Sequence, residues 1–168
     1  NGPMSTPSAL ARLVLIGATG LLGRTLARTF APNAALDLVL AGRDRAKLEA
    51  LHAELPTGGA RISVAEIDVC DPASVRAEFA GTRLIVCAAS VPSAIATLID
   101  AAIEAKADLL ETMLSNDAKL STLRAADVRA HAAGVRIIGE GGLHPGLLAA
   151  MVRYLLPQTV STGEFSMD

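Results

Sequence analysis

The sequence is poor in several residue types whose abundance marks particular classes of protein. Aromatic residues make up 2% of its 168 residues, and there is no tryptophan, so leucine, valine, isoleucine and alanine must build the core. Two cysteines, Cys70 and Cys87, are too few for the disulfide framework of a secreted domain. The formal net charge of −2 includes no basic excess, which argues against a nucleic-acid partner. No apolar run approaches the roughly 18 residues that span a membrane.

These absences leave a soluble protein of one domain, with the cytoplasm as the default compartment. Asn1-Gly2-Pro3 before Met4 resembles a cloning remnant, and residues 1–9 are expected to be a tag or a disordered N-terminus. No group of histidine, cysteine, aspartate and glutamate has the spacing of a metal site, so no metal is predicted.

The most informative stretch lies near the start of the chain. Leu13 to Ile16 form an apolar run without a polar break, typical of a strand buried on both faces of a parallel sheet. Glycines then recur at every third position, and the apolar spacing becomes helical. A strand, a glycine-rich turn and a helix N-terminus together predict a site for the phosphates of a nucleotide. The predicted binding residues of this turn are Gly17, Ala18, Thr19, Gly20, Leu21, Leu22 and Gly23.

Strand patterns alternate with helix patterns six times along the chain. This order predicts an α/β fold, namely a doubly wound parallel six-stranded sheet of the Rossmann-like kind with helices on both faces. A long alanine-rich helix is expected from Ser115 to Ala133, and a last helix is expected to open at Pro145. The predicted strands are Leu13–Ile16, Leu36–Ala41, Arg61–Ile67, Leu84–Ala88, Asp108–Thr112 and Val135–Ile138.

The end of the second predicted strand indicates which nucleotide is bound. An NAD- or FAD-binding fold places an acidic residue there to hold the ribose hydroxyls. This chain has Gly42 and Arg43 instead, and a guanidinium pairs with a 2′-phosphate in a bidentate manner. Asp44 is expected to cap the next helix, whose N-terminus adds positive potential along with Arg45. The pattern predicts NADP(H), and the alternative is a solvated arginine at a helix start.

Two further strand ends carry candidate contacts to the dinucleotide. Asp68 and Val69 follow the third strand, where they either bind the adenine edge or form an ordinary turn. Ala88 and Ala89 follow the fourth strand, where small side chains let the backbone pass close to the ribose and nicotinamide.

No catalytic residue is assigned from the sequence. Cys87 is interpreted as a buried thiol rather than a nucleophile, because no neighbour in sequence would activate it. His144 either faces the nicotinamide or caps the next helix, and the second interpretation is favoured. The only tyrosine is Tyr154, and Gln158 stands four positions later. The Tyr-x-x-x-Lys pair of short-chain dehydrogenases is therefore not available.

Four segments together resemble the NADP-binding domain of the saccharopine dehydrogenase-like family. They are Gly17–Gly23, Leu40–Leu48, Asp68–Val69 and Gly141–Leu147, and they extend over most of the chain from Arg12 to Pro157. The chain departs from the family at Leu110-Glu111-Thr112, where many members have an Asp-Leu-Thr-Gly-Glu-like stretch.

The resemblance implies hydride transfer between NADPH and a C=N or C=O carbon of a small-molecule substrate. It also implies an NADP-binding domain over residues 10–157, with residues 158–168 beginning a second, substrate-binding domain through which the enzyme forms a homodimer. The alternative is a non-catalytic dinucleotide sensor of the nitrogen-regulator type. A flavin-binding module is a weaker third possibility, because the acid after the second strand is missing.

Overall fold

The computed structural model describes residues 10–141, which form one parallel sheet of six strands covered by helices. The strands lie in the order β3-β2-β1-β4-β5-β6, and every neighbouring pair is parallel. In chain order the elements are β1 (Ala11–Ile16), α1 (Leu21–Phe30), β2 (Leu36–Gly42), α2 (Arg45–Glu54), β3 (Arg61–Glu66), α3 (Pro72–Phe79), β4 (Leu84–Cys87), a 3₁₀ turn (Pro92–Ala94), α4 (Ile95–Ala105), β5 (Asp108–Glu111), α5 (Asp117–Ala133) and β6 (Ile137–Ile138).

Alternate residues of the central strands enter two separate cores, one on each face of the sheet. Leu13 and Leu15 of β1 pack with α1 and α2, whereas Val14 and Ile16 pack with α3, α4 and α5. All four side chains are buried, as a strand covered on both sides requires. The predicted doubly wound α/β fold with helices on both faces is therefore confirmed.

Three helices begin at a polar cap that the sequence supplies. Asp44 accepts a hydrogen bond from the backbone N–H of Lys47 at 3.0 Å, and Asp71 accepts one from Ala73 at 3.0 Å. Asn116 caps α5 by accepting from Lys119 at 2.9 Å. Each cap satisfies a backbone donor that the first turn of a helix would leave unpaired.

Three predicted boundaries are wrong by two residues: β1 begins at Ala11 instead of Leu13, and local hydrogen bonds explain the other two. The helix predicted from Ser115 begins at Asp117, because Asn116 is extended (φ −129°, ψ 174°) and caps the first turn by accepting from the N–H of Lys119, while the N–H of Ser115 donates to the carboxylate of Glu140 at 3.0 Å. The strand predicted from Val135 is limited to Ile137–Ile138, because the N–H of Val135 bonds back to Ala130 at the end of α5. The third, fourth and fifth strands each end one residue earlier than predicted.

The order of the strands places a crevice above β1. Ile16 at the end of β1 pairs with Ala41 of β2 on one side and with Cys87 of β4 on the other. The helices connecting the strands on the β2 side of β1 lie on one face of the sheet, and those connecting the strands on the β4 side lie on the other. Ligands of open α/β sheets bind at such a switch point, outside the carboxyl ends of the strands.

The last predicted helix, opening at Pro145, lies outside the described residues. Among the helices that are described, none combines the length and the apolar character that crossing a membrane requires.

Candidate functional site

The turn after β1 is held in a shape that only glycine adopts without strain. Gly17 has a φ of +74°, and a Cβ at this position would lie 2.9 Å from the Cβ of Ala89. The N–H groups of Gly17 and Ala18 both donate to the carbonyl of Ala41, at 2.9 and 3.3 Å. The turn is thus fixed between the ends of β2 and β4, directly over the switch point.

The other two glycines bring helix α1 close to this turn and keep its N-terminus open. A Cβ at Gly23 would lie 2.0 Å from the carbonyl oxygen of Gly17, so the helix can approach the turn only without a side chain there. A Cβ at Gly20 would meet one atom within 4 Å, the same oxygen at 3.3 Å. Gly20 is the N-cap of α1, where no side chain forms a capping bond and no acidic residue occupies the first turn. A helix start of this kind leaves N–H groups and positive potential available to an anion.

An arginine that the sequence interpretation missed stabilises the same turn. Arg24 donates from Nε to the carbonyl of Thr19 at 3.1 Å, and its guanidinium lies 3.7 Å from the carboxylate of Glu54 at the end of α2. This bond crosses the turn and orients the Thr19 peptide. The only sign of this role in the sequence is that Arg24 directly follows the third glycine, Gly23. A solvent-exposed arginine on a helix could occupy the same position.

The turn after β2 presents a cation and leaves room beside it. Arg43 is exposed, and its guanidinium forms no ion pair or hydrogen bond with any residue from 10 to 141. A Cβ at Gly42 would meet only the Leu48 side chain, at 3.8 Å or more. As predicted, the end of β2 carries Gly42 and Arg43 where an acidic residue would otherwise stand, and it lies next to β1, which leads into Gly17.

The two charged residues next to Arg43 are already engaged within the protein. Asp44 caps α2, and its hydrogen bond from the N–H of Lys47 holds the pKa of this carboxyl below its ordinary value. Arg45 donates to Glu49 at 2.9 Å, one turn further along the helix. Arg43 is consequently the arginine of this turn whose charge is not neutralised by a described neighbour.

The predicted adenine contacts lie at the end of β3, two strands from β1. Asp68 is exposed, and its Oδ1 accepts from the N–H of Cys70 at 2.9 Å, which makes an Asx turn. Val69 is 6% exposed and packs in the core with α3. The alternative of an ordinary turn therefore accounts for Oδ1 of Asp68. Oδ2 has no hydrogen-bond partner among the described residues, and adenine binding stays a prediction.

The residues after β4 form the opposite wall of the crevice. The N–H of Ala88 donates to the carbonyl of Ile16 at 2.9 Å, which extends the ladder of the sheet. Ala89 packs its methyl group against Gly17. Cys87 is fully buried, its thiol lies 3.6 Å from the carbonyl of Ala89, and burial raises the pKa of the thiol. This opposes thiolate formation, as expected of the buried thiol that the sequence favoured.

The loops after β5 and β6 contain an ion pair that the sequence interpretation did not find. Glu111 and Lys119 are both buried and contact each other beneath these loops. The only signal was a single acidic residue at the end of the apolar run Leu109-Leu110, which was noted as a departure from a family pattern.

The geometry at β1 and β2 fits a dinucleotide that carries a 2′-phosphate. The Cβ position of Gly20 is nearly open, the N-terminus of α1 has no competing side chain, and the guanidinium of Arg43 is unpaired within the described range. Between residues 10 and 141 there is no cluster of three or more metal-ligating side chains. His144 and Tyr154 lie outside the described residues.

A comparison with protein families matches residues 13–138, three quarters of the chain, to the family described as "Saccharopine dehydrogenase NADP binding domain". Among curated proteins, no sequence matches this chain closely enough to count as a relative.

Solved structures support the same fold. Apo saccharopine dehydrogenase (L-Glu forming) from Saccharomyces cerevisiae superposes with a TM-score of 0.70 at 21% identity, over 86% of this chain and 30% of the yeast chain. A metagenomic short-chain oxidoreductase in complex with NADP has a TM-score of 0.63 at 19% identity, over 88% of this chain and 91% of its own. A Rossmann-fold NAD(P)-binding family protein from Shigella flexneri has a TM-score of 0.58 at 18% identity, covering 77% and 66%. This chain therefore spans about a third of the length of the yeast enzyme.

Proposed function

This chain belongs to the saccharopine dehydrogenase NADP-binding domain family, and we propose that it is the NADP(H)-binding unit of an oxidoreductase. The observation that carries the preference for NADP(H) over NAD(H) is Arg43, an exposed guanidinium without a described partner at the end of β2. A ribose-binding carboxylate would otherwise occupy this strand end.

Each wall of the crevice has a separate role in this proposal. The N–H groups at the start of α1, next to Gly20, bind the diphosphate, and Gly17 and Gly23 keep the backbone close enough to do so. Arg43 binds the 2′-phosphate through a charge-assisted pair. Asp68 and the backbone of Val69 bind adenine, and the backbone of Ala88 and Ala89 lines the ribose on the nicotinamide side.

NADPH, when bound, supplies a hydride to an electrophilic carbon. The described residues bind and orient the dinucleotide, and none of them is assigned as the proton donor. We propose a small-molecule substrate with a C=N or C=O carbon, bound mainly by a second domain that starts near residues 158–168 and also forms the homodimer surface.

Calorimetric titration of this chain with NADPH and with NADH tests the proposal. We expect NADPH to bind at least about tenfold more tightly, because a hydrogen bond to a charged group contributes roughly 1.5–3 kcal/mol. Arg43→Ala should remove most of this difference by weakening NADPH binding, with NADH binding nearly unchanged.

Arg129→Ala is the matched control, since Arg129 is an exposed arginine on α5 that pairs with Asp100 at 2.9 Å, away from the strand ends. This control should bind both dinucleotides like the parent. An Arg43→Ala chain that still prefers NADPH as strongly as the parent would contradict the assignment of the 2′-phosphate site.

A further inference from the structure

The least expected feature of the fold is a buried ion pair beneath the loops after β5 and β6. Glu111 ends β5 and is 0% exposed, and the Lys119 side chain on the first turns of α5 is 4% exposed. Two charges removed from water lose their hydration, and an apolar pair of similar volume is often equally stable or more stable. Burial of this pair is therefore weak evidence for a role in stability alone.

Glu111 is bonded to the backbone of both loops, and Lys119 is bonded to the backbone of the loop after β5. Glu111 accepts from the N–H of Met113 at 2.9 Å through Oε2, and from the N–H of Glu140 at 3.0 Å through Oε1. Lys119 donates to the carbonyl of Met113 at 2.6 Å. The pair thus connects the loop after β5 to the loop after β6.

Glu140 shows how firmly the second loop is held. Its φ is +57°, which non-glycine residues adopt uncommonly. Its N–H is bonded to Glu111, and its carboxylate accepts from the N–H of Ser115 at 3.0 Å. The contact with Ser115 holds the pKa of Glu140 below its ordinary value, so the carboxylate stays charged. Such a backbone conformation persists where surrounding contacts determine it.

Met113 extends the same network to the loop after β4. Its backbone N–H and carbonyl are bonded to Glu111 and Lys119, and its Sδ lies 3.0 Å from the N–H of Val91. Thr112 adds two contacts, from its N–H and its hydroxyl, to the carbonyl of Cys87 at 3.2 Å each. Hydrogen bonds of Glu111, Thr112, Met113 and Lys119 therefore connect the loops after β4, β5 and β6 to one another.

These three loops lie on one side of the switch point, and Arg43 lies on the other. A dinucleotide with its 2′-phosphate at the end of β2 and its diphosphate at Gly20 extends toward β4, β5 and β6. We propose that Glu111 and Lys119 are positioning residues that fix these three loops as the floor under the nicotinamide half. This inference rests on the proposed function, because it takes the dinucleotide as the ligand.

The test separates the two halves of the ligand in a variant that keeps no unpaired buried charge. Glu111→Gln with Lys119→Met removes both charges and retains side-chain length. We expect this double variant to bind adenosine 2′,5′-bisphosphate, which lacks the nicotinamide half, like the parent, and to bind NADPH about tenfold more weakly. The fluorescence of the bound nicotinamide ring at saturation should also be enhanced less than in the parent.

Arg76→Met with Glu104→Gln is the matched control. These residues pair at 2.6 Å between α3 and α4, with side chains 52% and 54% exposed, and the control double variant should bind both probes like the parent. The single variant Lys119→Met leaves Glu111 charged and unpaired, so it should melt below the Glu111→Gln, Lys119→Met double variant.

The outcomes distinguish this inference from the function on which it rests. Equal weakening of both probes in the double variant would mean a purely structural pair and would overturn the inference, as would unchanged NADPH binding and fluorescence. A parent chain that binds neither probe would overturn the proposed function itself, and the positioning role with it.

Discussion

Replacing Gly23 by alanine should destabilise the protein, although the same change inside a helix usually stabilises one. Gly23 lies in α1, where alanine is favoured over glycine by roughly 1 kcal/mol in helix propensity. Its added Cβ, however, would lie 2.0 Å from the Gly17 carbonyl oxygen and 2.8 Å from the Ala18 Cα. Both atoms belong to the backbone of the glycine-rich turn, so relief requires α1 to move away from the sheet.

The magnitude follows from how far the helix must move. Real Cβ atoms essentially never approach another heavy atom within 3.0 Å, so the distance to the Gly17 oxygen must grow by at least about an ångström. Overpacking of this kind reaches about 3 kcal/mol, and the gain in helix propensity offsets about 1 kcal/mol. We therefore expect Gly23→Ala to lower the free energy of unfolding by about 2 kcal/mol and the melting temperature by roughly 4–8 °C.

Thermal and urea unfolding followed by circular dichroism would measure this difference. Gly20→Ala is the matched control, because its Cβ would meet one atom within 4 Å, the Gly17 oxygen at 3.3 Å. The control should unfold nearly like the parent, while its methyl group occupies the space next to the helix N-terminus and weakens dinucleotide binding. A Gly23→Ala chain that melts at or above the parent temperature would refute the close approach of α1 to the turn.

Substitutions at two further positions and one labelling experiment test other contacts. Asp37 is buried, and bidentate hydrogen bonds from Arg61 at 2.8 and 3.0 Å hold the pKa of its carboxyl below the ordinary value. The stabilisation that the charged carboxylate gives to the folded state is therefore present above pH about 4 and is lost as the pH falls through the folded-state pKa. Asp37→Asn should therefore lower the free energy of unfolding by about 1.5–3 kcal/mol at pH 7, with a smaller difference from the parent at pH 3 in urea titrations; an unchanged difference would contradict this. Iodoacetamide should label exposed Cys70 quickly and buried Cys87 only on unfolding, as mass spectrometry would show, whereas equal rates would exclude the buried thiol. Asn116→Ala should lose a helix cap and about 1 kcal/mol of unfolding free energy, and Asn116→Asp, which keeps the cap, should lose little.

The sheet was predictable because each central strand carries its signal in consecutive residues. Leu13 to Ile16 form an uninterrupted apolar run, and a strand buried on both faces requires such a run. The glycine-rich turn was predictable for a similar reason, since its backbone geometry is encoded at three fixed positions. Both patterns lie within a few consecutive residues, so they can be recognised without knowledge of contacts between distant parts of the chain.

The missed ion pair beneath the loops after β5 and β6 depends on elements that come together only in the assembled fold. Glu111 is one acidic residue after two leucines, and its pairing with Lys119 and its bond to the N–H of Glu140 become evident only after β5, α5 and β6 are assembled. The start of α5 was also misplaced, since Ser115 lies outside the helix and donates to Glu140, which is 25 positions away. Side-chain bonds to remote backbone groups leave no periodic pattern in the sequence.

The support of the turn after β1 is separate from that of the turn after β2. The first is fixed by the close approach of Gly17 and Gly23 and by the bond from Arg24 to Thr19, whereas the guanidinium of Arg43 forms no ion pair or hydrogen bond with another described residue. A substitution at Arg43 therefore needs no compensating change elsewhere in the described chain. Under the proposed function, a single codon change at Arg43 would therefore alter the preference for NADP(H), while the codons of Gly17 and Gly23 remain constrained by the close packing of the turn.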